Sequence, residues 1–197
     1  EKMQLQGGRP SGFFGLIVGR MMNLFHAGMQ KWALEGIVIQ EDFNCLDIGC
    51  GGGRAVKQIA SVARKGRVIG LDHSTEMVGL ASRLNRKRLV DGRVEIIQGS
   101  VSDLPFSDSQ FDIVTALETI QFWPDIDADL MEVKRVLKPD GVFVILNRYP
   151  PTDSKWTEFL TLKNDADYRQ SLNRAGCSHI SVDTATKKGW ILALAKT

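Results

Sequence analysis

Cys45-Leu46-Asp47-Ile48-Gly49-Cys50-Gly51-Gly52-Gly53 is the stretch whose reading decides the fold. An apolar run closes on a carboxylate, and glycines then fall at alternate positions, Gly49, Gly51 and Gly53. The pattern predicts a buried strand, a turn too tight for a Cβ, and a helix whose free N–H groups face the turn. Such a turn lets the backbone approach a ligand closely, and the helix N-terminus favours a carboxylate or another anion. Dinucleotide-binding proteins use a similar device, so the turn alone does not separate the ligands. Asp47 before the first glycine, and Asp72 at the end of the next apolar run, sharpen the reading.

Outward from the turn, strands alternate with helices. Residues 43–48, 67–72, 94–98, 111–117 and 142–147 read as strands, and 53–63, 75–89, 126–137 and 165–175 as helices. Ser74 suits the N-cap of the second helix. Pro139 stops the third, with Asp140-Gly141 turning the chain into the fifth strand. Residues 178–184 and 190–196 read as a closing strand pair joined through Lys187-Lys188-Gly189. Alternating elements of this kind predict an α/β fold, a doubly wound and mostly parallel sheet. Ahead of it, Phe13, Ile17, Met21, Leu24, Phe25, Met29 and Trp32 recur at helical spacing, predicting one or two helices within 12–36. With no internal repeat and no long linker, residues 1–197 read as a single domain, its core spanning 40–197.

Five blocks carry a resemblance: D-I-G-C-G-G-G (47–53), G-L-D-H-S-T-E-M (70–77), G-S-V-S-D-L-P-F (99–106), F-D-I-V (111–114) and R-V-L-K-P-D-G (135–141). In this order they resemble the class I S-adenosylmethionine-dependent methyltransferases, and specifically the small-molecule branch. That resemblance implies a Rossmann-like sheet ending in an antiparallel hairpin, N-terminal helices forming a lid, and S-adenosyl-L-methionine as methyl donor. A nicotinamide cofactor is the competing ligand. Its fingerprint spaces the glycines G-x-G-x-x-G, whereas here they run G-x-G-x-G after an aspartate, and no Tyr-x-x-x-Lys pair accompanies them.

Bulk properties narrow the partners. The 197 residues are 43% hydrophobic and 24% charged, with a formal net charge of +2. That balance is ordinary for a globular enzyme and too mild to imply nucleic acid. Cys45, Cys50 and Cys177 lack paired spacing, so neither a disulfide framework nor a metal site is expected. No signal sequence or membrane span is legible, which predicts a cytoplasmic enzyme without a membrane partner. The basic run Arg83, Arg86, Lys87 and Arg88 near a helix end suits the helix dipole and a solvated face.

The resemblance assigns site residues one by one. The Gly49–Gly53 turn carries the methionine part of the cofactor, and Asp47 either accepts from its ammonium, directly or through water, or only braces the turn. Asp72 accepts the ribose hydroxyls, and His73 and Met77 flank the adenine. Ser100, Val101 and Asp103 hold the adenine edge, and Leu117 contacts the cofactor through its backbone. Methyl transfer from a sulfonium needs its partners in line and shielded from water, and a base only where the acceptor loses a proton. His26 and Glu118 are the candidate catalytic groups. Structural packing remains open for His26, and an exposed helix-start carboxylate for Glu118. Phe122, Trp123 and Tyr149 suit either an apolar, flat acceptor or simple packing. A cofactor-binding sensor or partner subunit without turnover is the alternative function; the oligomeric state is not legible.

Overall fold

The computed structural model describes residues 27–149, 157–158, 160–185 and 188–197. Of the helical segment expected at 12–36, only α1 (Ala27–Glu35) falls among them; residues 12–26, His26 included, lie outside. Two compact units divide between Ser100 and Val101.

The first unit continues with β1 (Cys45–Ile48), α2 (Arg54–Val62), β2 (Val68–Asp72), α3 (Thr75–Leu89) and β3 (Val94–Gln98). Its strands are parallel, with Cys45 opposite Val68 and Val68 opposite Val94. Every residue of β1 and β2 is buried, which is why both read as continuous apolar runs rather than as alternation. Helix α2 buries Ala55, Val56, Ile59 and Ala60, and α3 buries Met77, Leu80, Ala81 and Asn85, each a single stripe at helical spacing. Ser74 caps α3 as expected, its hydroxyl accepting from the Met77 N–H.

The second unit holds β4 (Phe111–Leu117), a 3-10 turn (Ile120–Phe122), α4 (Ile126–Val136), β5 (Leu137–Arg148), α5 (Asp165–Arg174), β6 (Ser178–Ala185) and β7 (Trp190–Lys196). Strands β4 and β5 run parallel, and β7 lies antiparallel to both β5 and β6. The seven strands form one mixed sheet in the order β3-β2-β1-β4-β5-β7-β6, so the expected Rossmann-like sheet with its antiparallel hairpin is present. Asp125 caps α4, and Asn164 with Asp167 forms a capping box on α5. Inside, Trp123 stacks on Phe143 at 6.2 Å between centroids.

The boundary that departs furthest from the sequence reading is the start of β5. Strand β5 starts at Leu137 rather than at 142: Leu137 pairs with Phe111, then Val142 with Ile113. Residues 138–141 bulge out between these pairs, with Asp140 at φ 63°. The Asp140-Gly141 turn is therefore real, but it interrupts a strand instead of preceding one.

Candidate functional site

In the first unit the glycine turn is held by backbone bonds from both sides. The N–H groups of Gly49 and Cys50 donate to the Leu71 carbonyl at 2.7 and 3.0 Å, and that of Gly53 to the Cys50 carbonyl at 2.9 Å. Gly49, Gly51 and Gly53 all take positive φ, at 68°, 51° and 76°. A Cβ at Gly53 would lie 2.7 Å from the Ala81 Cβ and 2.8 Å from its Cα, whereas a Cβ at Gly51 would meet no protein atom within 4 Å. The close approach inside the fold belongs to Gly53. Gly51 presents its bare backbone to open space.

Asp72 is the brace of this turn. Its Oδ2 accepts from the Gly51 N–H at 2.8 Å and its Oδ1 from the Ser74 N–H at 2.9 Å, so one buried carboxylate ties the turn to the start of α3. Each oxygen keeps a lone pair for a further donor. Asp47 is buried in β1, level with Gly70. Burial first, then the fields of Asp72 and Asp47, push the Cys50 thiol well up, so the thiol stays protonated and no nucleophile sits in the turn. The same two fields favour a cationic ligand group there. Met77 is buried under the cap of α3, while His73 is exposed, with Nδ1 3.8 Å from Asp72 Oδ1. Ser100 is exposed at the end of the unit.

Asn85 escaped the sequence reading. Fully buried on α3, its amide donates to the Gly53 carbonyl at 2.9 Å and to the Ala81 carbonyl at 3.0 Å. It therefore fixes the left-handed residue that opens α2, a helix with no side-chain cap of its own. The available signal was a polar residue in the apolar stripe Met77, Leu80, Ala81, Asn85. Asn85→Ala should lower stability by about 1–3 kcal/mol, because two buried hydrogen bonds of about 0.5–1.5 kcal/mol each are lost, read from urea unfolding.

In the second unit Val101 is buried and Asp103 exposed on the loop before β4. Arg135 of α4 clamps that loop. Its guanidinium donates to the Leu104 carbonyl at 3.1 Å, the Phe106 carbonyl at 2.8 Å and Asp108 Oδ1 at 2.8 Å. Glu132 completes the clamp, accepting from Arg135 at 2.6 and 2.7 Å and from the Leu104 N–H at 2.9 Å. The Arg135 bonds hold the Glu132 carboxyl below the usual carboxylate range. A depressed folded pKa contributes stability that is present above the unfolded value of about 4.3 and lost as pH falls through the folded one. Glu132→Gln should therefore flatten the acid limb of a stability-against-pH curve below about pH 4.5, while the wild type loses stability there.

Leu117, buried, ends β4, and Glu118 follows at φ 61°. A non-glycine residue in that region costs about 1–2 kcal/mol and persists only where its surroundings hold it. Here the Glu118 N–H donates to the Leu146 carbonyl at 2.7 Å, its carbonyl accepts from Gln121 Nε2 at 2.8 Å, and Oε1 lies 3.2 Å from Arg148 Nε. Glu118 is 7% exposed, so the reading of an exposed helix-start carboxylate does not hold. Phe122, four residues on, is 43% exposed.

A family model for the methyltransferase domain matches residues 46–145. YrhH of Bacillus subtilis (strain 168), a methyltransferase by assignment, is 36% identical over 151 residues, 76% of this chain and 82% of YrhH. The chain belongs to the class I S-adenosylmethionine-dependent methyltransferases. The demethylmenaquinone methyltransferase of Lactobacillus johnsonii is 35% identical over 139 residues, which cover 68% of this methyltransferase and 57% of that protein. The chain thus spans little more than half the length of that relative. A S-adenosylmethionine-dependent methyltransferase of Aquifex aeolicus shares the fold, with a TM-score of 0.74 and 23% identity over 85% of this chain and 88% of that one. The residues of the first unit fit the methyl donor of this class. The open side of Gly51 would be filled by any Cβ, two buried carboxylates suit its cationic groups, and the uncapped start of α2 suits its carboxylate.

Proposed function

We propose that this methyltransferase transfers the methyl group of S-adenosylmethionine by in-line displacement to a small, flat, apolar acceptor of the quinone type. The observation that carries the acceptor class is Phe122, an exposed aromatic ring in the 3-10 turn directly after buried Glu118. The demethylmenaquinone methyltransferase relative acts, by its name, on such a molecule. The bound donor supplies an electrophilic methyl on a sulfonium, and the chain's residues hold and orient.

Asp47 accepts from the ammonium, the Gly49, Gly51 and Gly53 backbone receives the methionine part, and Asp72 accepts the ribose hydroxyls. His73 and Met77 pack beside the adenine, Ser100, Val101 and Asp103 meet its edge, and Leu117 contacts the donor through its backbone. Where the acceptor loses a proton, Glu118 takes it or orients the donor of that proton; His26 is the second candidate. Residues 12–36 act as a lid over the acceptor. The family match runs through residue 100 without a break, which supports one methyltransferase domain over residues 1–197. The formal charge of +2 and the absence of an RNA-binding motif argue against nucleic acid as acceptor.

Incubation with methyl-labelled cofactor and a demethylated naphthoquinol tests the reading, with label expected in the organic phase. Label carried by RNA or by a water-soluble metabolite sinks the acceptor class, and cofactor binding without any transfer selects the sensor alternative. Glu118→Gln should lower kcat by about 100-fold or more with cofactor affinity unchanged. A wild-type kcat in that variant removes Glu118 from the chemistry.

A further inference from the structure

The first unit carries a charge pattern that cofactor binding does not use. Five of its described cations are paired: Lys31 with Glu35, Arg64 and Lys65 with Glu41, Arg67 with Glu95, and Arg93 with Asp91. Arg83, Arg86, Lys87 and Arg88, in the C-terminal part of α3, have no carboxylate within 4.0 Å among the described residues. At about 100° per residue, Arg83, Arg86, Lys87 and Val90 fall within an arc of about 100°, opposite the buried stripe of Met77, Ala81 and Asn85. Glu76 stands two turns back toward the start of the helix, and the Ser74 hydroxyl donates to it at 3.1 Å.

Apolar side chains share this cationic face. Val90 is 88% exposed at its centre, and Leu84 39% exposed on its flank. Complementing the helix dipole accounts for cations in the last turn, but not for Arg83 one turn earlier, nor for a bare valine among the charges. Single-stranded nucleic acid is bound with aromatic platforms for base stacking, and residues 75–93 contain no aromatic side chain. Cations around exposed aliphatic groups instead match an interfacial surface, where the charges meet lipid phosphates and the aliphatic groups enter the headgroup–acyl boundary.

We propose that the outer face of α3 (Arg83, Leu84, Arg86, Lys87 and Val90) docks this methyltransferase on an anionic lipid surface. The contact is peripheral, since no described helix is long and apolar enough to cross a membrane. It narrows the sequence expectation of no membrane partner to one of no spanning segment. The surface stands on its own observations, and with a quinone-type acceptor it brings the enzyme to the phase in which such an acceptor dissolves.

Each cation near an anionic leaflet strengthens partitioning about fivefold, so the three central ones together account for about 100-fold. Cosedimentation with phosphatidylcholine vesicles, with and without one-third phosphatidylglycerol, tests this directly. The expected result is binding to the anionic vesicles alone, largely lost when salt rises from about 0.1 to about 0.5 M. Arg83→Glu, Arg86→Glu and Lys87→Glu combined should abolish binding, and Leu84→Asn with Val90→Asn should weaken it several-fold. Both sets of substitutions lie on the surface and should leave S-adenosylmethionine affinity, measured by calorimetry, unchanged. Absence of wild-type binding, equal binding by the triple variant, or capture of a short RNA in place of the vesicles would each overturn the proposal.

Discussion

Asp72→Ala should weaken S-adenosylmethionine binding by at least about 100-fold, or about 2.7 kcal/mol. Two losses coincide. If the carboxylate accepts both ribose hydroxyls, each charge-assisted bond contributes about 1.5–3 kcal/mol. The same group holds the Gly51 N–H at 2.8 Å and the Ser74 N–H at 2.9 Å, so its removal also frees the turn that receives the methionine part. Asp72→Asn separates the two. Its amide oxygen can still serve one of the backbone donors, while its NH2 faces the other and the charge is gone. Calorimetry should therefore give Asn an intermediate affinity, and near-native affinity in the alanine variant would remove Asp72 from the site.

Gly53→Val should unfold a larger fraction of the protein than any substitution at Gly51. A side chain at Gly53 meets the Ala81 Cβ at 2.7 Å, its Cα at 2.8 Å and Asn85 Nδ2 at 2.7 Å, and the residue must hold φ 76°. The left-handed backbone alone costs about 1–2 kcal/mol, and overpacking adds about 1–3 kcal/mol. Together these approach the whole stability of a marginal domain. Gly51→Ala carries only the backbone cost, since its Cβ meets nothing in the protein. The harm at Gly51 falls on the ligand, which loses the open side of the turn. Urea midpoints without cofactor should then rank wild type, Gly51→Ala, Gly53→Val in falling order, while cofactor affinity is lost in both variants. A native midpoint for Gly53→Val would contradict the packing of α2 against α3.

Much of this was legible before any coordinates, for a local reason. Strands 94–98, 111–117 and 190–196 and helix 75–89 lie where periodicity and capping put them, because hydrophobic period, Ser74 and the glycine punctuation act within a few residues. The Cys45–Gly53 turn was legible for the same reason, since positive φ at three glycines is a property of the turn itself, and the cofactor class followed from that turn together with the four blocks after it.

Other features required the fold. Which glycine is tight and which is open depends on α3, a helix about thirty residues further on. Asp72 reaches Gly51 across 21 residues and Asn85 reaches Gly53 across 32, pairings that follow strand register rather than local propensity. By sequence Glu118 was either a catalytic candidate or an exposed helix-start carboxylate. The Leu146 carbonyl and Arg148, both supplied by β5, bury it in a left-handed conformation instead. The cations of α3 could be counted in the sequence. Their lack of carboxylate partners, and the bare Val90 among them, depend on where every other charge in the unit had gone. Sequence determined what each segment could become on its own. Tertiary structure decided which polar groups were left to face one another or open space, because desolvation and hydrogen-bond pairing depend on neighbours that only folding brings near.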